Sequence, residues 1–111
     1  MSSWQSLTQP EQLAEIDRAS HERPQLIFKH SISCGISAQA QYQLQSATDD
    51  LAEGFDLHYL DLINHRPASN EVAAHWKIPH QSPQVLIIKD GEVVYHASHF
   101  GIRPANIIEA A

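Results

Sequence analysis

The sequence predicts an α/β fold, a four-stranded mixed sheet flanked by helices, with residues 1–111 forming one domain. Three observations predict it. Gln25–Lys29 and Leu57–Ile63 are short runs apolar enough to lie inside a sheet, and a helical pattern separates them. Two further runs, Val85–Lys89 and Glu92–His96, flank Asp90-Gly91, a hairpin signal because both turn positions must tolerate positive φ. Helical patterns precede, separate and follow these runs, so the elements read α, β, α, β, α, β, β, α.

Each element has a local cause. Thr8-Gln9-Pro10-Glu11 opens the first helix with a Thr cap, a glutamate three residues later and a proline in the first turn. Leu13 and Ile16 give it a thin apolar stripe. After the strand Gln25–Lys29, the segment Ser31–Gly35 breaks the run. Ile36, Ala40, Leu44, Ala47 and Leu51 then recur at helical spacing and predict one continuous helix, with Gly54 following its end. Pro67 and Ser69 start a third helix, in which Val72 and Trp76 stand one turn apart. Arg103-Pro104 opens the last, which carries Ile107 and Ile108.

Composition excludes several classes of function. With 7 Lys+Arg against 13 Asp+Glu, the net charge of −6 argues against a nucleic-acid or anionic-membrane binder, which needs clustered cations. Apolar runs fall short of the ~18 residues of a membrane span. Met1–Pro10 lacks the basic start and apolar stretch of a signal peptide. A single cysteine excludes an internal disulfide and a multi-cysteine zinc site. The expectation is a cytoplasmic protein without membrane or nucleic-acid partners.

That cysteine carries the candidate chemistry. Cys34 follows the first strand, at or just inside the start of the second helix, where unpaired amides and the helix dipole favour a thiolate. The thiolate is the nucleophilic form. Ser37, three residues on, can present its amide and hydroxyl to the sulfur, and Lys29 and His30 can add positive charge. Small Gly35 and polar Ser33 leave the thiol accessible. The competing reading is a buried cysteine packing as a small hydrophobe.

Cys34-Gly35-Ile36-Ser37 resembles the Cys-Gly-Phe-Ser signature of monothiol glutaredoxins. The longer string Phe28-Lys29-His30-Ser31-Ile32-Ser33-Cys34-Gly35-Ile36-Ser37 is more similar to the YtxJ-type family, the monothiol bacilliredoxins of bacillithiol-using bacteria. That family shares the Phe-Lys-His-Ser start, the cysteine, an isoleucine two later and a serine three later. Its usual residue after the cysteine is proline, where this chain has Gly35. The resemblance extends from Trp4 to the final helix. It implies a thioredoxin-like fold, in which a cis proline precedes the third main strand and faces the active cysteine, and Ser82-Pro83 stands at that place. The Ser82 backbone would then pair with an extended thiol ligand like an added strand. The implied activity is thiol-disulfide exchange in redox homeostasis: Cys34 removes bacillithiol from bacillithiolated client proteins. Bacillithiol serves as co-substrate, and no cofactor or metal is required.

Two other readings stand beside this one. Gly35 also likens the chain to glutaredoxin-type iron–sulfur carriers, in which Cys34 would be a ligand. The other is a redox-inert binding module. Eight histidines call for a metal search, but no His-Glu-x-x-His string occurs. His21, His65, His75, His80 and His99 read as surface or cap residues, Asp61 as a solvated strand end, and Trp4 and Trp76 as packing residues.

Overall fold

A computed structural model describes residues 3–111. Its elements are β1 (Gln5–Ser6), α1 (Gln12–Ala19), β2 (Gln25–His30), α2 (Gly35–Ser46), α3 (Thr48–Gly54), β3 (Asp56–Asp61), α4 (Arg66–Trp76), β4 (Gln84–Lys89), β5 (Glu92–Ser98) and α5 (Pro104–Glu109). A 3₁₀ turn at His99–Gly101 links β5 to α5. The sheet is mixed, in the order β1-β3-β2-β4-β5, with β1, β3 and β2 parallel and β4 and β5 antiparallel to their neighbours.

The sheet therefore has five strands rather than four. The added strand, β1, is two polar residues at the edge, paired in register with His58 and Tyr59. Buried Trp4 and Leu7 on either side anchor it, and the Leu7 amide donates to the Tyr59 carbonyl at 2.8 Å. No apolar alternation marks so short a strand.

Strand alternation divides the core. Leu26 and Phe28 point to one face, with Leu57, Val85 and Ile87, beneath α2, α3 and α5. Ile27 points to the other, with Leu60, Leu86 and Ile88, beneath α1 and α4. Asp90 and Gly91 have φ of 52° and 79°, as the hairpin required. Arg103, extended at φ −134°, precedes Pro104 in the first turn of α5.

Three local expectations change. Thr8 does not cap α1: the Gln12 carboxamide oxygen accepts from the Thr8 amide (2.8 Å), the Thr8 hydroxyl (3.2 Å) and the Gln9 amide (2.9 Å), and the helix starts at Gln12. The long helix breaks at Ala47, which has φ −103° and ψ 11°. There the Thr48 hydroxyl donates back to the Leu44 carbonyl and accepts from the Trp4 indole at 3.0 Å, a pattern that bends helices. Gly54 closes α3 from within, without a positive φ. Both α2 and α3 still bury the same stripe of Ala40, Leu44 and Leu51, but Ile36 is only half-buried, and Ser37 occupies the buried position at the start of α2.

Candidate active site

Because β2, β3 and β5 run in one direction and β4 in the other, four connections meet at one end of the sheet. They are the segment from β2 to α2 holding Cys34, the β3–α4 link, the approach to β4 through Ser82-Pro83, and the His99–Gly101 turn. In α/β sheets this carboxyl end is where chemistry is usually placed.

Cys34 is the Ncap residue of α2, extended at φ −111° and ψ 125°, and half-buried. Its amide donates to the Ser31 carbonyl at 3.1 Å, and its carbonyl accepts from Ala38 at 3.0 Å, so the backbone on both sides of the thiol is held. At Ncap the residue immediately precedes the first amides of the helix, which have no intrahelical acceptors. It makes no capping hydrogen bond to them. Gly35 is the first helical residue and would accept a Cβ without meeting any atom within 4 Å.

The Ser82–Pro83 peptide bond is cis. Pro83 is buried one residue before β4, and its carbonyl accepts from the His99 amide at 3.1 Å. The 3₁₀ turn bound in this way also packs against α2, so Cys34's helix and the Ser82-Pro83 segment share a neighbour. Ile32, Ile63 and Phe100, all exposed, lie in three of the four connections.

The other proposed neighbours of the thiol are redirected. The Ser37 side chain is fully buried, and its hydroxyl is engaged by the His30 Nδ1 (2.7 Å) and the Ser31 amide (2.9 Å), not by Cys34. Its contribution is to fix the loop that carries Cys34. His30 is buried against the Phe28 and Tyr59 rings. Burial lowers its pKa, with Asp61 and the Ser37 backbone opposing, so it is held toward the neutral form and supplies little positive charge. Lys29 lies in register with Leu60 and Gln84 on the α1/α4 side, the sheet face opposite α2, and its ammonium meets His80 at 3.2 Å. It therefore does not share the sheet face of the thiol.

His80 is exposed, as the sequence reading had it, but its ring also meets the ammonium of a buried lysine, which no local signal at His80 betrays. Asp61 behaves as a strand end, accepting from the Asn64 side chain at 2.7 Å. His65 stands at the Ncap position of α4 without a side-chain capping bond, and Trp4 and Trp76 are packing residues as expected. A cleft of about 430 Å³ lined by Arg18, Arg23, Asp56 and His58 lies at the opposite end of the sheet, away from Cys34. Among the described residues, no cluster of three or more His, Cys, Asp or Glu could hold a metal ion. No helix there is long and apolar enough to cross a membrane.

The family described as monothiol bacilliredoxin BrxC matches residues 5–107. The chain belongs to that family. Solved structures agree on the fold. A protein described as having a thioredoxin fold is 25% identical, with a TM-score of 0.83 over 98% of this chain and 94% of its own. Fasciola hepatica thioredoxin, 18% identical, gives a TM-score of 0.71 over 95% of this chain and 93% of its own. Thioredoxin O2 from Arabidopsis thaliana, 13% identical, gives 0.75 over 97% and 93%. This bacilliredoxin-family chain therefore has a thioredoxin fold and a thiol-redox role.

Proposed function

We propose that the protein is a monothiol oxidoreductase that removes bacillithiol from mixed disulfides on client proteins through Cys34. The observation that carries this reading is the placement of the chain's single cysteine at the Ncap of α2, at the sheet end that also holds Ser82-Pro83, in a chain of the monothiol bacilliredoxin family. Cys34 has no second cysteine to resolve an adduct, so the reaction requires two partners. The Cys34 thiolate attacks the bacillithiol sulfur of the client's mixed disulfide. A new S–S bond forms to Cys34, the old one breaks, and the client leaves as thiolate. A second low-molecular-weight thiolate then attacks the adduct, restoring the Cys34 thiolate and leaving as a symmetrical disulfide.

In this reading Ser37, with buried His30, holds the Cys34 loop, and the Gly35–Ser37 amides face the developing charge. The Ser82 backbone offers an edge on which an extended thiol ligand pairs, and the exposed apolar side chains Ile32, Ile63 and Phe100 offer a protein client a contact surface. No cofactor takes part, and the setting is a reducing cytoplasm.

The test is transfer. A client carrying one bacillithiol adduct is mixed with wild-type protein, and both are read by intact mass. The client should lose the adduct as Cys34 gains it one for one, and Cys34→Ser should do neither. Faster exchange with a glutathionylated client would replace bacillithiol with glutathione as the partner. No exchange with either would overturn the redox reading.

A further inference from the structure

We infer that Lys29 is a positioning residue: with Gln84 it clamps the Pro79–Gln81 segment that leads into Ser82-Pro83, and so sets the surface opposite Cys34. The inference rests on the thiol-exchange reading for the purpose of that surface, and on hydrogen bonds for the clamp itself.

Lys29 and Gln84 are directly paired across β2 and β4, and both are buried, at 0% and 1% exposure. Each grips the same short segment. The Gln84 carboxamide donates to the Pro79 carbonyl at 3.2 Å and accepts from the Gln81 amide at 3.4 Å. The Lys29 ammonium reaches the ring of the residue between them, His80, at 3.2 Å. Three consecutive residues are thus held from below by two adjacent side chains. An ammonium can only donate, so the His80 Nδ1 accepts and its proton lies on Nε2. A neutral His80 satisfies this requirement: the residue is exposed, but partial burial of its ring together with Lys29 and Arg66 lowers its pKa and favours that form.

The position of Lys29 is otherwise hard to explain. Its strand neighbours on the same face, Ile27 and Leu60, are apolar, and the described ion pairs give Lys29 no carboxylate. An alkyl side chain would fill this site at lower cost than a buried ammonium. What the ammonium adds is a directional bond to a loop residue. Since Lys29 lies on the sheet face away from α2, it acts on exchange through that loop.

Wild type, Lys29→Met, His80→Ala and the double variant are compared in the bacillithiol-transfer assay, in Cys34 alkylation by iodoacetamide, and in exchange of the His80, Gln81 and Ser82 amide hydrogens. Lys29→Met and His80→Ala should each slow transfer about tenfold. The double variant should be no slower than either single one. Alkylation should stay within about twofold, since the thiol itself is untouched, and amide exchange over residues 80–82 should rise in all three. Alkylation falling in step with transfer would overturn the inference, because Lys29 would then act on the thiol. Multiplying effects, or unchanged transfer, would overturn it too. Should wild type transfer nothing, the functional reading fails on its own, and hydrogen exchange still decides the clamp: unchanged protection of the residue 80–82 amides refutes it.

Discussion

Replacing Lys29 by methionine should make the protein more stable at neutral pH, which is unusual for a change at a fully buried position. Burial holds the Lys29 pKa at about 8, against an ordinary 10.5. At 1.36 kcal/mol per pKa unit, that difference corresponds to a cost of roughly 3 kcal/mol for keeping the ammonium inside. The cost is fully present below pH 8, where the lysine is charged in both folded and unfolded chains. It fades between about pH 8 and 10.5, where the folded chain has released the proton and the unfolded chain still holds it. Methionine keeps the unbranched stem and removes the charge. Against that gain stands the lost bond to His80, worth about 1 kcal/mol. The net expectation is a gain of roughly 2 kcal/mol at pH 7. Urea unfolding of both proteins at pH 7 and at pH 10.5 reads it directly. The variant's midpoint should lie higher at pH 7, and the advantage should vanish or reverse at pH 10.5. A destabilised variant at pH 7, or a difference that does not change with pH, would mean that the buried ammonium carries no such cost.

Three further substitutions probe the backbone around the thiol and the hairpin. Ser37→Ala strands the buried His30 ring nitrogen and the Ser31 amide together, which should cost about 2–4 kcal/mol and lower the melting temperature by roughly 10 °C or more. A loss under about 0.5 kcal/mol would show that the loop does not depend on this serine. Gly35→Pro should be tolerated and add about 0.4–1 kcal/mol, because the site is the first helical residue, a Cβ meets nothing, and Cys34 is already extended. Calorimetry showing a lower melting temperature would contradict it. Gly91→Ala should cost about 1 kcal/mol from its φ of +79° rather than from crowding, since the nearest atom to a Cβ there is 3.5 Å away. An unchanged unfolding midpoint would mean that the hairpin relaxes.

The sheet was legible wherever side chains alternate or run apolar. Leu26 to Phe28 and Val85 to Ile88 declare their burial, and Asp90-Gly91 announces its turn. The breaks were not legible, because they depend on partners distant in sequence. Ala40, Leu44 and Leu51 keep one stripe in phase across Ala47, so nothing local shows that Trp4 and Thr48 interrupt the helix. Gln12 displaces the Thr8 cap by reaching back to Thr8, Gln9 and Ser6, an arrangement that a capping pattern does not encode. At the site, the position of Cys34 at the start of a helix could be read from the strand and loop before it. The roles of Lys29 and His30 could not be read from their closeness to Cys34 in sequence. Adjacent strand residues point to opposite faces, so one entered the core beside Ser37 and the other met His80, 51 residues away.

In the proposed cycle Cys34 carries a small thiol between the two exchange steps. The intact mass of the protein isolated, under acid quench, from its native cells after oxidant exposure would reveal that adduct. A fraction of the molecules should be heavier by one bacillithiol less two hydrogens, mapped to Cys34 and removed by added thiol. An unmodified Cys34 in cells whose other proteins carry the adduct would contradict that cycle.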